Sequence, residues 1–248
     1  MNDRLTSPSS GPVALVTGAS RGLGRVIAEH LSDRGYSMIL TARGAEDLAQ
    51  TVEELARRTS KVVGLPGDVT DPTHRDRLAD AVHHQGRLDV LVNNASELGP
   101  SPLRPLRELS LEDFRRILEV NLLAPVALVQ AMAPELVRVC GRIVNISSDA
   151  AVQGYPHWGG YGASKAALDL VSRTLASELG PEGVAVVSVD PGDLRTTMHQ
   201  AAFPGEDISD RPPPAVTLPF WAWLFSQPNE RIQGRRYRAQ EATWEVNL

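Results

Sequence analysis

A single cysteine, Cys140, stands in 248 residues. One thiol cannot close an intrachain disulfide or build a thiolate metal cage, and a reducing compartment is expected. Positive charge is also short: 25 Lys and Arg against 30 Asp and Glu give a formal charge of -5. A nucleic-acid surface wants the opposite balance, so no nucleic-acid partner is expected. No apolar run approaches the roughly 18 to 20 residues that span a bilayer, so no membrane partner is expected either. The opening stretch, Met1 to Pro12, is polar and rich in Ser and Pro, and lacks the apolar middle of a secretory signal. It reads as a flexible tail, 1–11, ahead of one cytoplasmic domain, 12–248.

What is present is an alternation. Apolar runs at Val13–Thr17, Ser37–Thr41, Lys61–Leu65, Leu88–Val92, Arg142–Ser147 and Val184–Val189 read as strands. Segments with helical spacing lie between them: Gly22–Arg34, Glu46–Arg58, Pro72–Gln85, one long helix Leu111–Val139, and Gly160–Leu179. The repetition predicts a single doubly wound, Rossmann-type α/β domain. Its sheet is expected to have seven mostly parallel strands, covered by helices on both faces. After Met198 the prolines at 204, 212, 213, 214 and 219 predict a loop. A short helix at Phe220–Phe225 and a last strand at Arg236–Ala239 complete the reading.

Two motifs carry chemistry. Between the first strand and first helix lies Gly18-Ala19-Ser20-Arg21-Gly22-Leu23-Gly24. Gly18 permits a tight turn, Gly22 lets backbone approach a pyrophosphate, and Gly24 lets the helix pack on the strand. The helix N-terminus offers free N–H groups to the anion. Farther on, Tyr161 and Lys165 are four apart, hence on one helical face. A tyrosine with a pKa of about 10 needs roughly 4 kcal/mol of help to work near pH 7. An ammonium 4 Å away supplies about that at an effective dielectric of 20.

In this order and spacing the motifs resemble the short-chain dehydrogenase/reductase family, in its single-domain branch. The landmarks are Gly18, Gly22 and Gly24, then Asp68, Asn93-Asn94-Ala95, Asn121, Ser148, Tyr161-x-x-x-Lys165, Pro191-Gly192 and Thr196. They cover roughly residues 12 to 198. The resemblance implies carbonyl–alcohol interconversion on a small molecule, with hydride from NADP(H). It makes Tyr161 the general acid and base, Ser148 the substrate-orienting hydroxyl, and Asn121 the holder of a water that links Lys165 to solvent. The cofactor set it implies is Gly18, Ser20, Arg21, Gly22, Leu23, Gly24, Arg43, Asp68, Val69, Asn94, Ala95, Tyr161, Lys165, Pro191, Gly192, Leu194 and Thr196. No metal is implied. Arg43, just past a second strand that ends without an acid, and Arg21 resemble the NADP-preferring pattern. A solvated Arg43 and a turn-capping Asp68 are the alternatives. The family implies a homodimer or homotetramer and a substrate loop, here about 193–218. Alternatives to a simple carbonyl reductase are a 3-oxoacyl or polyketide-type ketoreductase and a non-catalytic NADP-sensing regulator.

Several residues depart from the pattern or leave it open. Ser96 stands where the family's Asn-Asn-Ala-Gly turn has glycine. His157 and Trp158 either face the substrate or pack a loop. Asp193 either reads a polar substrate group or caps the next turn. Trp221, Trp223 and Phe225 build a lid or a subunit contact. Arg235 to Arg238 suit a charged edge strand or a subunit contact. Adjacent His83 and His84 diverge on a helix and suit a solvated face.

Overall fold

The computed structural model describes residues 11–58 and 61–244. The expected tail lies outside the described residues, apart from Gly11. The strands are β1 (Val13–Thr17), β2 (Ser37–Ala42), β3 (Val62–Pro66), β4 (Val90–Asn93), β5 (Arg142–Ile146), β6 (Ala185–Asp190) and β7 (Arg236–Arg238). They form one sheet in the order β3-β2-β1-β4-β5-β6-β7. Every neighbouring pair is parallel, so the expected "mostly parallel" sheet is wholly parallel. Helical crossovers impose this, because each returns the chain to the edge it left.

The first crossovers are α1 (Gly22–Asp33), α2 (Ala45–Ala56) and α3 (Pro72–Gln85). Later ones are α4 (Leu111–Leu118), α5 (Ala124–Arg138) and α6 (Gly159–Leu179). The two faces divide β1 by alternation. Ala14 and Val16 pack with Ile27 and Leu31 of α1, while Val13 and Leu15 pack with Leu78 of α3 and Leu128 of α5. Both faces are thus covered, and every residue of β1, β2, β4 and β6 is buried.

Three expectations change. The single helix over Leu111–Val139 is two α-helices joined by a π-helical turn, Glu119–Leu123, with Asn121 inside it. A π turn breaks the regular hydrogen-bond ladder and often marks a functional site. The stretch Leu111–Arg138 is also long and apolar enough, by length and composition, to cross a membrane. The expectation that nothing approached that length missed it, because charged residues interrupt the run. In this fold its Ile117, Val120, Leu128, Val129, Met132 and Leu136 are buried inside the domain.

Beyond β6, α7 (Thr197–Ala202) precedes the proline-rich loop, and α8 (Leu218–Ser226) and α9 (Asn229–Ile232) follow it. Phe220 and Trp221 of α8 are fully buried in the same cluster as α1. Phe225 is buried with them and the partly buried Trp223 packs against the same cluster, so these rings belong to the domain core. The Trp221 indole N–H donates to Thr217 Oγ1 at 2.8 Å, which satisfies its polar edge.

Candidate active site

The C-terminal ends of the strands open into one cavity of about 640 Å³. It lies where the connections from β1 and β4 diverge, the position at which doubly wound sheets bind ligands. Gly18, Ser20, Arg21, Gly22 and Leu23 form one wall. The helix behind them, α1, starts at an extended Arg21 with no side-chain cap and no acid in its first turn. Its first N–H groups have no intrahelical partner, and the helix end carries positive polarity. Gly22 has φ of +60°, and a Cβ there would meet only the Thr196 side chain, at 3.5 Å. Gly24 is not among the lining residues. A Cβ there would overlap the Gly18 carbonyl oxygen and the Asn94 amide nitrogen, so this glycine seats α1 against the loop.

Asn94 and Ala95 line the cavity and brace the same loop. Asn94 Nδ2 donates to the Thr17 and Gly18 carbonyls at 2.9 and 3.1 Å. Both backbone N–H groups donate to Thr17 Oγ1 at 2.9 Å. Arg43 lines the far end, where it pairs with Glu97 at 3.3 Å. Among the described residues the exposed Arg21 guanidinium has no ion-pair partner. Asp68 and Val69 line the cavity too. The Asp68 carboxylate accepts from Thr70 N and Oγ1 at 2.9 and 2.8 Å, and from Arg116. Burial acts to raise its pKa, but these bonds outweigh burial and hold it at about 2. The carboxylate is therefore engaged in the turn. Arg116 was missed because it lies on α4, far along the chain.

Ser148, Tyr161 and Lys165 meet at the other end. Lys165, one of two lysines in the chain, is buried and donates from Nζ to the Ile146 carbonyl at 2.8 Å. Nζ lies 5.5 Å from the centre of the Tyr161 ring. Burial pushes the lysine down to about 8, against the opposing charge of Asp169. Burial pushes the Tyr161 phenol well above its ordinary value; the neighbouring Ser148 and Ser96 hydroxyls oppose this, and the charges of Asp190 and Asp149 reinforce it. Lys165 was expected to bring the phenol down. Burial dominates, and the phenol is held in its neutral form.

Asn121 is fully buried and does not line the cavity. Its Nδ2 donates to Glu97 O at 2.8 Å and Ser164 Oγ at 2.9 Å. Its Oδ1 accepts from Glu97 N at 2.7 Å and Ser96 Oγ at 3.1 Å. Both donors and both lone pairs are used, so the side chain has no arm left for the expected water.

Pro191, Gly192, Leu194 and Thr196 complete the wall. Thr196 Oγ1 caps α7 by accepting from His199 N at 3.1 Å. Asp193 pairs with Arg211 at 3.6 Å instead of capping a turn. Trp158 lines the cavity and meets the Tyr161 ring edge-on, centroids 5.6 Å apart. Phe203 packs 6.2 Å from Trp158 and 5.1 Å from His199. His157 is exposed and outside this wall. Arg236 points inward from β7, donating to Ser148 O at 2.7 Å and Asp169 at 2.9 Å. It holds the backbone of the serine, a role that a charged edge strand did not suggest. On the outer surface, His83 pairs with Glu135 at 2.9 Å.

The short chain dehydrogenase family model matches residues 12–207. A hydroxynaphthalene reductase-like protein from Metarhizium anisopliae is 37% identical over 195 residues, 77% of this chain and 72% of the relative. The oxidoreductase YciK of Escherichia coli K12 is 32% identical over 234 residues, 92% of this chain and 91% of the relative. A short chain dehydrogenase from Escherichia coli CFT073, solved in complex with NADPH, superposes with a TM-score of 0.85 at 30% identity, covering 97% of this chain and 100% of the other. A counterpart from Shigella flexneri, solved with NADP, gives 0.83 at 30% identity, covering 97% of this chain and 100% of the other. With glycine loop, strand order and Ser-Tyr-Lys cluster all in place, this chain belongs to the short-chain dehydrogenase/reductase family of nicotinamide-dependent oxidoreductases.

Proposed function

We propose that this oxidoreductase uses NADP(H) to interconvert a ketone or aldehyde and an alcohol, with Tyr161 as general acid and base. The observation that carries the reading is that Ser148, Tyr161 and Lys165 share one cavity with the uncapped start of α1. These residues fit a dinucleotide. Unpaired N–H groups around Ser20 to Leu23 suit a pyrophosphate. A lysine ammonium has three donors, and Lys165 commits one to Ile146, leaving two for ribose hydroxyls. Asp68, Val69, Asn94 and Ala95 would flank the adenosine half, and Pro191, Gly192, Leu194 and Thr196 the nicotinamide half. When bound, the cofactor supplies the hydride.

The chain's own residues manage the oxygen. Ser148 holds the substrate carbonyl by a hydrogen bond. Tyr161, kept neutral by burial, gives that oxygen its proton, which suits the reductive direction. The charge of Lys165 and the serine hydroxyls stabilise the phenolate that remains. Arg21 and Arg43 would take a 2′-phosphate, and charge-assisted bonds of roughly 1.5 to 3 kcal/mol each favour NADPH over NADH. Glu97 must release Arg43 for this. The NADP and NADPH complexes of similar proteins support the same choice. Trp158 and Phe203, together with the hydroxynaphthalene reductase-like relatives, favour a ring-bearing carbonyl. The family resemblance carries the further proposal of a homodimer or homotetramer. Sedimentation as a monomer at micromolar concentration would contradict that assembly.

The test is NADPH oxidation across a panel of ketones, aldehydes and aryl ketones, with NADH in parallel. Turnover with NADPH preferred supports the reading. NADPH binding without turnover anywhere in the panel favours a dinucleotide-sensing regulator.

A further inference from the structure

We propose that Arg236 is a positioning residue for Ser148, clamping the serine's peptide to the helix that carries Tyr161 and Lys165. The inference rests on Ser148 orienting the substrate carbonyl. Arg236 lies on β7, the edge strand, beyond residues 12–207 that the family model matches. It stands two strands away from β5, whose end leads into Ser148.

The arginine side chain meets three other elements. Its Nη2 donates to the Ser148 carbonyl, just past β5, at 2.7 Å. Its Nε donates to Asp169 Oδ2, on α6, at 2.9 Å. Nη2 also donates to Asp190 Oδ2, at the end of β6, at 3.4 Å. Both carboxylates are buried, with side chains only 6% and 3% exposed, so water competes little for these contacts. Asp169 lies one helical turn beyond Lys165 and about two beyond Tyr161. Lys165 makes a second tie nearby, from Nζ to the Ile146 carbonyl at 2.8 Å. The carbonyls of Ile146 and Ser148 are thus both fastened to α6, one directly by Lys165 and one through Arg236 and Asp169.

A guanidinium presents its donors in a rigid plane, so one side chain holds a carbonyl and a carboxylate at a fixed separation. A lysine ammonium is a single point and cannot occupy both places. The Ser148 carbonyl has one other donor, the Ala151 N–H at 3.1 Å. That donor belongs to the same short turn, so it cannot fix Ser148 relative to α6. Arg236 can, and it thereby sets the spacing between the serine and Tyr161. The clamp acts on the peptide and leaves the hydroxyl free to rotate. The hydroxyl proton, given to Asp149 Oδ1 at 3.1 Å, is then available to a substrate carbonyl by that rotation.

The test is a double-mutant cycle of Arg236→Lys with Ser148→Ala. Three quantities are measured: kcat and KM for the best carbonyl substrate, NADPH affinity by titration, and Tm. Arg236→Lys keeps a charge for the two carboxylates and removes the fork, and Arg236→Gln is the second variant. In the wild-type background Arg236→Lys is expected to lower kcat about tenfold, the scale of a displaced orienting group, with NADPH affinity within about twofold of wild type. In the Ser148→Ala background the same change is expected to cost less than about twofold, because the hydroxyl it positions is gone. Equal losses in the two backgrounds overturn the proposal, since Arg236 would then act through something other than Ser148. So does a lysine variant with wild-type turnover. Loss of folding in both Arg236 variants overturns it too, by assigning the residue to the stability of the domain. If Ser148→Ala is slow while the two backgrounds lose equally, only this inference falls. If Ser148→Ala turns over like the wild type, the reading beneath it falls as well.

Discussion

The two ends of the cavity are built from different materials. The glycine-loop end is mostly backbone: an uncapped helix, positive-φ glycines and amides braced by Asn94. Its charged side chains, Arg21 and Arg43, are exposed. The tyrosine end is mostly side chain, with Lys165, Asn121 and Ser164 buried and bonded. An end made of backbone should tolerate changed charges and resist added atoms. An end made of buried polar groups should fail when one donor is removed, because its partners lose their compensation.

Lys165→Met breaks the buried end. It is expected to lower kcat by about a thousandfold, on the scale of lost electrostatic stabilisation in a water-poor site. Folding should survive, since replacing a buried charge by an apolar chain of similar volume is often neutral or stabilising. Urea unfolding checks this, and pH sharpens it. With the folded-state pKa at about 8 and the ordinary value at 10.5, the unfolded chain binds more protons between those limits. Wild-type stability should therefore rise with pH across that window, and the methionine variant should lose that rise.

Gly24→Ala attacks the backbone end, where the added Cβ collides with the Gly18 carbonyl. Overpacking of this kind costs about 1 to 3 kcal/mol, so Tm and NADPH affinity should fall together. Arg43→Ala should do least. It is expected to weaken NADPH binding by about tenfold, to leave NADH binding unchanged, and to lose its effect at high salt. Calorimetric titration at two salt concentrations measures it. An equal loss for NADH would remove Arg43 from 2′-phosphate recognition.

The same division governs what could be read from sequence. Strand–helix alternation, the glycine loop and the Tyr161–Lys165 pair are local patterns, and they located both ends of the cavity. The bonds that tune the buried end join distant residues. Arg236 reaches Ser148, Arg116 reaches Asp68, and Ser96 reaches Asn121. Such pairings have no period and no fixed spacing. The π turn at Asn121 is set by bonds to Glu97 and Ser164 rather than by helix propensity. In α8 a signal was present: Leu218 to Phe225 is apolar around its whole circumference, the mark of a buried helix.

The central claim is that Tyr161 gives the proton at a site where cofactor binding is built separately. Tyr161→Phe should be assayed for NADPH-dependent reduction of the best substrate and for NADPH binding in the same preparation. The account expects turnover to fall by at least about a hundredfold, the lower range for a lost general acid, with NADPH affinity close to wild type. Turnover near the wild-type rate, with NADPH bound, would contradict it.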